Sequence, residues 1–144
     1  MYLYGGGVGN DNLRLIPIPS RHVDFAWSDG ASKLEEACSE ECTIDQLKMV
    51  ISRDERTLVR MDDDTGTVGW AVFKVEQFPN LRAFHVTNLV ARRAHFERFF
   101  GCVKAMAKDL GCSRIRCSAQ PALARLYEAK LGFEPIYTTL EARV

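Results

Sequence analysis

The most constraining stretch of this sequence runs from Phe96 to Phe133. Phe96, Phe99, Phe100, Val103, Ala107 and Leu110 recur at helical spacing, and Gly111 follows as a stop. Ile115 to Ser118 is a short strand. Pro121 then opens a second helix with Leu123, Leu126, Tyr127 and Leu131 on its apolar side, and Gly132 ends it. Neither helix can bury its apolar stripe alone. The strongly apolar run Phe84 to Val90, broken by His85, Thr87 and Asn88, precedes them. Strand, helix, strand and helix in that order predict a crossover that lays two strands parallel.

The front half reads differently. Leu13 to Ile18 is a short strand that ends at Pro17 and Pro19. Ser20 caps a helix carrying Val23, Ala26 and Trp27, and Ser28-Asp29-Gly30 interrupts it. Ser32 and Glu35 offer a capping box for a continuation through Leu34 and Ala37. Thr43 and Gln46 offer another, opening a helix with Ile44, Leu47, Val50 and Ile51 inward. Leu58 to Met61 and Val68 to Val75 are strands joined by a hairpin turn at Asp62-Asp63-Asp64-Thr65-Gly66. Phe78-Pro79-Asn80 is a further turn, and Ile136 to Val144 reads as a last strand. The fold class is mixed α/β: about six strands in one central mixed sheet with about four helices, antiparallel in front and parallel behind.

With 144 residues the chain is expected to form one domain over 13–144, preceded by a Gly/Asn/Asp-rich flexible arm over 1–12. Gly5, Gly6, Gly7 and Gly9 lack the preceding strand that a phosphate loop needs. Nineteen Lys+Arg balance nineteen Asp+Glu, which gives no support to a nucleic-acid partner. No apolar run approaches the roughly 18 residues of a membrane span, and the first residues do not read as a signal peptide. Five cysteines are an odd number, which reads as reduced thiols in a cytoplasmic setting rather than a disulfide framework.

The stretch from Asn88 to Phe133 resembles the GCN5-related N-acetyltransferase (GNAT) superfamily. The most specific piece is Ala122-Leu123-Ala124-Arg125-Leu126-Tyr127-Glu128-Ala129-Lys130-Leu131-Gly132-Phe133. It looks like the family's Leu-Tyr helix with a closing Gly-Phe. Ala107 to Ile115 looks like the end of the long helix on the CoA side, and Asn88-Leu89-Val90 like the end of the family's fourth strand. The resemblance implies that two parallel strands splay apart and admit acetyl-CoA or another acyl-CoA. On it, Asn88, Leu89, Val90, Arg92 and Arg93 are the cofactor-binding candidates, with backbone amides at a helix start cradling pyrophosphate. Tyr127 is the candidate acid for the leaving thiolate, and His85 the candidate base for an acceptor amine, a small molecule or a protein.

The sequence departs from the family pattern in places. The pyrophosphate loop falls on Ala91-Arg92-Arg93-Ala94-His95-Phe96, which has no glycine. An alternative register, Arg98-Phe99-Phe100-Gly101, conflicts with the apolar periodicity that starts at Phe96. Tyr127 stands four residues before Gly132 where three is commoner, and Gln120 stands where Asn is frequent. Arg92 and Arg93 therefore read either as phosphate contacts or as a solvated helix start. Tyr127 reads as an acid or a core-edge aromatic, and His85 as a base or a hydrogen-bonded structural residue. After Phe133 only one strand remains where the family has a hairpin, so an open sheet edge is expected.

No metal site is expected. Cys38 and Cys42 lie one turn apart without a second pair, and Cys112 and Cys117 read as small apolar fillers. The three consecutive aspartates read as turn residues, since a calcium loop alternates its ligands. Two functions remain open at this level. One is an acyl-CoA-dependent N-acyltransferase. The other is a catalytically degenerate structural or interaction protein of the kind found in bacteriophage virions, docking a protein partner through its arm or open edge.

Overall fold

The computed structural model describes residues 4–5 and 12–144. Most of the expected N-terminal arm lies outside the described residues. Within them, one six-stranded sheet holds β1 (Tyr4–Gly5), β2 (Arg14–Ile18), β3 (Thr57–Asp63), β4 (Gly66–Gln77), β5 (Arg82–Ala91) and β6 (Arg114–Cys117), ordered β1-β2-β3-β4-β5-β6. All neighbours are antiparallel except β5 and β6, which are parallel. The crossover between them is the long amphipathic helix, as its periodicity required.

Four α-helices flank the sheet: α1 (Val23–Asp29), α2 (Ile44–Ser52), α3 (Phe96–Asp109) and α4 (Pro121–Leu131). The Thr43–Gln46 capping box forms in full, with Gln46 N–H donating to Thr43 Oγ1 and Thr43 N–H to Gln46 Oε1. The Ser32–Glu35 box does not. Gly30, at φ +125°, breaks the chain after α1, and residues Ala31–Ala37 wind as a 3-10 helix without a side-chain cap. Tight 3-10 winding turns Ala31 and Leu34 together into the core.

The sheet separates two apolar clusters. On one face α3 lays Phe96, Phe99, Phe100, Val103 and Met106 against Leu15, Val59, Phe84 and Val86, with Tyr127 of α4 alongside. On the other, Val23, Ala26, Leu34, Leu47 and Ile51 meet Leu58, Trp70 and Val72. Cys112 and Cys117 pack at the edge of the first cluster as apolar fillers. α3 ends at Leu110, whose carbonyl accepts from Arg82 Nε at 2.8 Å, tying the helix end to the start of β5. α4 starts with Pro121 and ends on Gly132 in the left-handed region.

The expected last strand is absent: residues 132–144 carry no regular secondary structure, and Ile136, Tyr137 and Leu140 are exposed. Their β-branched and aromatic character satisfies local strand preference, but a strand exists only against a ladder partner, and none of these residues pairs. The far side of β6 has no partner among the described residues, as expected for an open edge.

Gly69 marks the tightest backbone approach. A Cβ there would lie 2.7 Å from Val90 O and 2.8 Å from Met61 Cε. Gly69→Ala is therefore expected to destabilise the fold by about 1–3 kcal/mol through overpacking against backbone. Urea unfolding measures it, and an unchanged midpoint would contradict this packing.

Candidate functional site

β5 and β6 pair only from Ala83↔Arg114 to Val86↔Cys117. β6 stops there, while β5 runs on to Ala91 and the chain after Cys117 turns towards α4. Residues 87–91 of β5 thus present one backbone edge with no ladder partner among the described residues. A bulge sits where the strands part: Val86 faces Phe73 and Asn88 faces Val72, leaving Thr87 extra. The bulge shifts the alternation, so Leu89 packs on the α3 face and Val90 on the opposite one.

The bulge is held by side chains. Thr87 Oγ1 donates to Asn88 Oδ1 at 2.8 Å, and Asn88 Nδ2 donates to Ala37 O at 3.0 Å. Asn88 is buried, so its amide needs these partners. Its side chain ties the 31–37 helix to β5.

β5 leads into a 3-10 turn, Arg93–His95, and then α3. Arg92 and Arg93 are exposed at this start. Phe96, at the loop position where the family pattern has a small residue, is turned inward. Its ring lies 6.0 Å from that of Tyr127. The bulky side chain therefore joins the core and leaves the outer side of the helix start clear.

Tyr127 is 5% exposed, with Phe100 and Phe133 at ring distances of 5.4 and 5.6 Å. Burial, and secondarily the neighbouring Cys117 thiol, push its phenol up to about 12. Cys117 ends β6 at the fork, so Tyr127 stands beside the splay. Burial also raises the Cys117 thiol to about 11. His85 lies in the paired part of β5, on the face opposite Phe84 and Val86, with Nδ1 2.7 Å from Glu76 Oε1. The two candidate catalytic side chains therefore stand on opposite faces of the sheet.

A cleft of about 740 Å³ opens where β5 leaves the sheet, on the Trp70 face. Asp63, Trp70, His95, Glu36 and Arg92 are among the residues lining it. Sequence reasoning placed Asp63 in a hairpin turn, Trp70 in a strand and His95 at a helix start, with no role for any of them. Asp63 is 8% exposed, and Thr65 donates to its Oδ1 through both N–H and Oγ1. These bonds from Thr65, chiefly the hydroxyl's, hold its carboxyl below the usual range. No group of three or more His, Cys, Asp or Glu suited to a metal occurs among the described residues.

No protein-family model matches the sequence, and no curated protein matches it. Solved structures do match. A ribosomal-protein-alanine N-acetyltransferase from Brucella melitensis biovar Abortus 2308 superposes with a TM-score of 0.66 at 13% identity, covering 92% of this chain and 99% of that one. An aminoglycoside N-acetyltransferase in complex with CoA gives 0.63 at 12% identity, over 96% and 99%. A glucosamine-6-phosphate N-acetyltransferase from Arabidopsis thaliana gives 0.62 at 11%, over 91% and 97%. The chain has the GNAT fold. The expected fold class holds, including the mixed sheet and the parallel pair that forks. No helix is long and apolar enough to cross a membrane among the described residues.

Proposed function

We propose that this GNAT-fold protein is an acyl-CoA-dependent N-acyltransferase that moves an acetyl or other acyl group to an amine. The observation that carries the reading is the fork between β5 and β6, with its unpaired β5 edge. Amide groups of a pantetheine arm could pair with that edge as a strand would. The residues present fit the cofactor: residues 88–90 supply backbone at the edge, and Arg92 and Arg93 flank a helix start suited to pyrophosphate. Acyl-CoA would supply the activated thioester. Acetyltransferases of this fold, one of them bound to CoA, support the assignment of chemistry.

On this reading Tyr127 holds a neutral phenol at the fork and gives its proton to the sulfur as the C–S bond breaks. His85, with Nδ1 donating to Glu76, keeps Nε2 as the basic nitrogen able to take the amine's proton.

Melting the protein with saturating acetyl-CoA tests the reading. Ligand at a hundred times its dissociation constant adds about 2.7 kcal/mol, a rise of roughly 5–10 °C for a chain of this size. A cooperative melt that does not move at millimolar acetyl-CoA would retire the reading.

A further inference from the structure

The cleft on the Trp70 face is lined by polar groups that are not fully partnered among the described residues. Trp70 is 3% exposed, yet it lines the cleft, and its indole N–H finds no acceptor among the described residues. Its Nε1 points at Gly30, 3.5 Å from where a Cβ would stand, and Gly30 lines the same cleft. Asp63, 8% exposed at the cleft wall, accepts from the Thr65 N–H and hydroxyl on Oδ1, and the Gly66 N–H adds a further bond to the carboxyl. His95 Nδ1 is buried without a partner. Buried donors and acceptors are nearly always paired, because each unpaired one costs about 1–3 kcal/mol. Among the described residues His95 Nδ1 is the one such atom, and His95, the Asp63 carboxylate and the Trp70 indole line one cleft and together describe the ligand it would take.

We propose that this cleft binds a hydrophilic primary amine carrying an oxygen acceptor a few bonds from its nitrogen. The ammonium meets the Asp63 carboxylate, which the Thr65 bonds keep ionised. The oxygen accepts from Trp70 Nε1–H. Asp29 and Glu36 add negative charge to the wall. Lys33 and Arg92 also line the cleft, so its side chains set three carboxylates against two permanent cations. The volume lies within the range of small-molecule sites, and the polar walls exclude an apolar ligand. Val90, Ala91 and Arg92 line the cleft and also belong to the proposed cofactor region, so the amine would sit across β5 from it. Only the amine's identity as acyl acceptor rests on the acyl-transfer reading; the binding itself does not.

The oxygen can be a hydroxyl, as in an amino alcohol, or a carbonyl, as in an amino-acid amide. Serinol and glycinamide represent the two. Glycerol and glycolamide are their amine-free counterparts. The readout is the Trp70 indole N–H resonance in ¹⁵N-labelled protein, with Trp27→Phe leaving it as the single indole of the chain. Saturable shifts with serinol, glycinamide or both, and none with the amine-free pair, support the proposal and tell which oxygen is preferred. Asp63→Asn keeps the Thr65 bonds and should weaken binding by about tenfold or more. Glu36→Gln is exposed, leaves folding alone and should weaken it a few-fold, which decides the matter if the Asp63 variant does not fold. No shift with either amine, equal shifts with the amine-free compounds, or full affinity in Glu36→Gln would overturn the proposal. The titration contains no acyl-CoA, so its outcome is independent of the acetyl-CoA melt.

Discussion

Tyr127→Phe is expected to slow acyl transfer by about 10²–10⁴-fold, the range of a positioned acid–base group. The melting temperature at neutral pH should hardly move, because the ring keeps its places against Phe96, Phe100 and Phe133. The phenol titrates near 12 in the fold, so it remains a proton donor throughout the neutral range. The same shift makes a stability prediction. Tyr127 rises from 10 to about 12 and Cys117 from 9 to about 11, both through burial first. A raised acid loses nothing below its unfolded value. Above that value the unfolded chain releases its proton first, and stability falls until the folded group titrates too. The protein should therefore lose stability as pH climbs from about 9 towards 12, and Tyr127→Phe should remove the part of that loss that sets in above about 10. Thiol release from acetyl-CoA across a panel of amines, and melts taken across this pH range, check the two halves. Full turnover in the variant would make Tyr127 a core aromatic alone.

Phe84→Ala is expected to cost about 3–5 kcal/mol. Phe84 is 1% exposed near the start of β5 and stacks on Phe73 with ring centroids 4.1 Å apart. Its removal opens a cavity beneath α3 that the sheet has little freedom to close. Total stability of a domain is only about 5–15 kcal/mol, so melting should fall by roughly 10 °C or more. Phe84→Leu, which keeps most of the volume, should cost under about 1.5 kcal/mol. Urea unfolding of both variants measures the difference. A loss below about 1 kcal/mol for the alanine variant would mean that this cluster is looser than its packing indicates.

Much of the fold was legible where the signal is local. The stripe from Phe96 to Leu110 is a helix, because the same residues that repeat every three to four positions are those buried against the sheet. Pro121 and Gly132 bracket α4 because each suits the backbone angle its position demands. Thr43 and Gln46 cap α2 through their own side chains. Ser32 and Glu35 have the same spacing but form no box, since the backbone left Gly30 in a 3-10 path. Residues 136–144 have strand character and no strand, because pairing needs a second segment that local preference does not supply.

The candidate site was legible in part. The strand end at Asn88 to Val90 and the helix start at Arg92 and Arg93 stand beside the fork, while Tyr127 packs among Phe96, Phe100 and Phe133. The loop without glycine looked obstructed by Phe96. Only packing against Tyr127 shows that ring turned inward. The cleft was not legible at all. Asp63, Trp70, His95 and Glu36 come from a hairpin, a strand, a helix start and a 3-10 helix, and nothing in their spacing relates them.

By itself the sequence determined the helices α2, α3 and α4, the parallel crossover and the apolar faces, since periodicity and end residues act over a few positions of chain. The tertiary structure alone decided that Asp63 is buried, that Trp70 lines a cleft, that β6 ends where β5 continues, and that the last residues find no strand partner among the described residues. Those outcomes depend on contacts between distant segments, whose geometry no single stretch encodes.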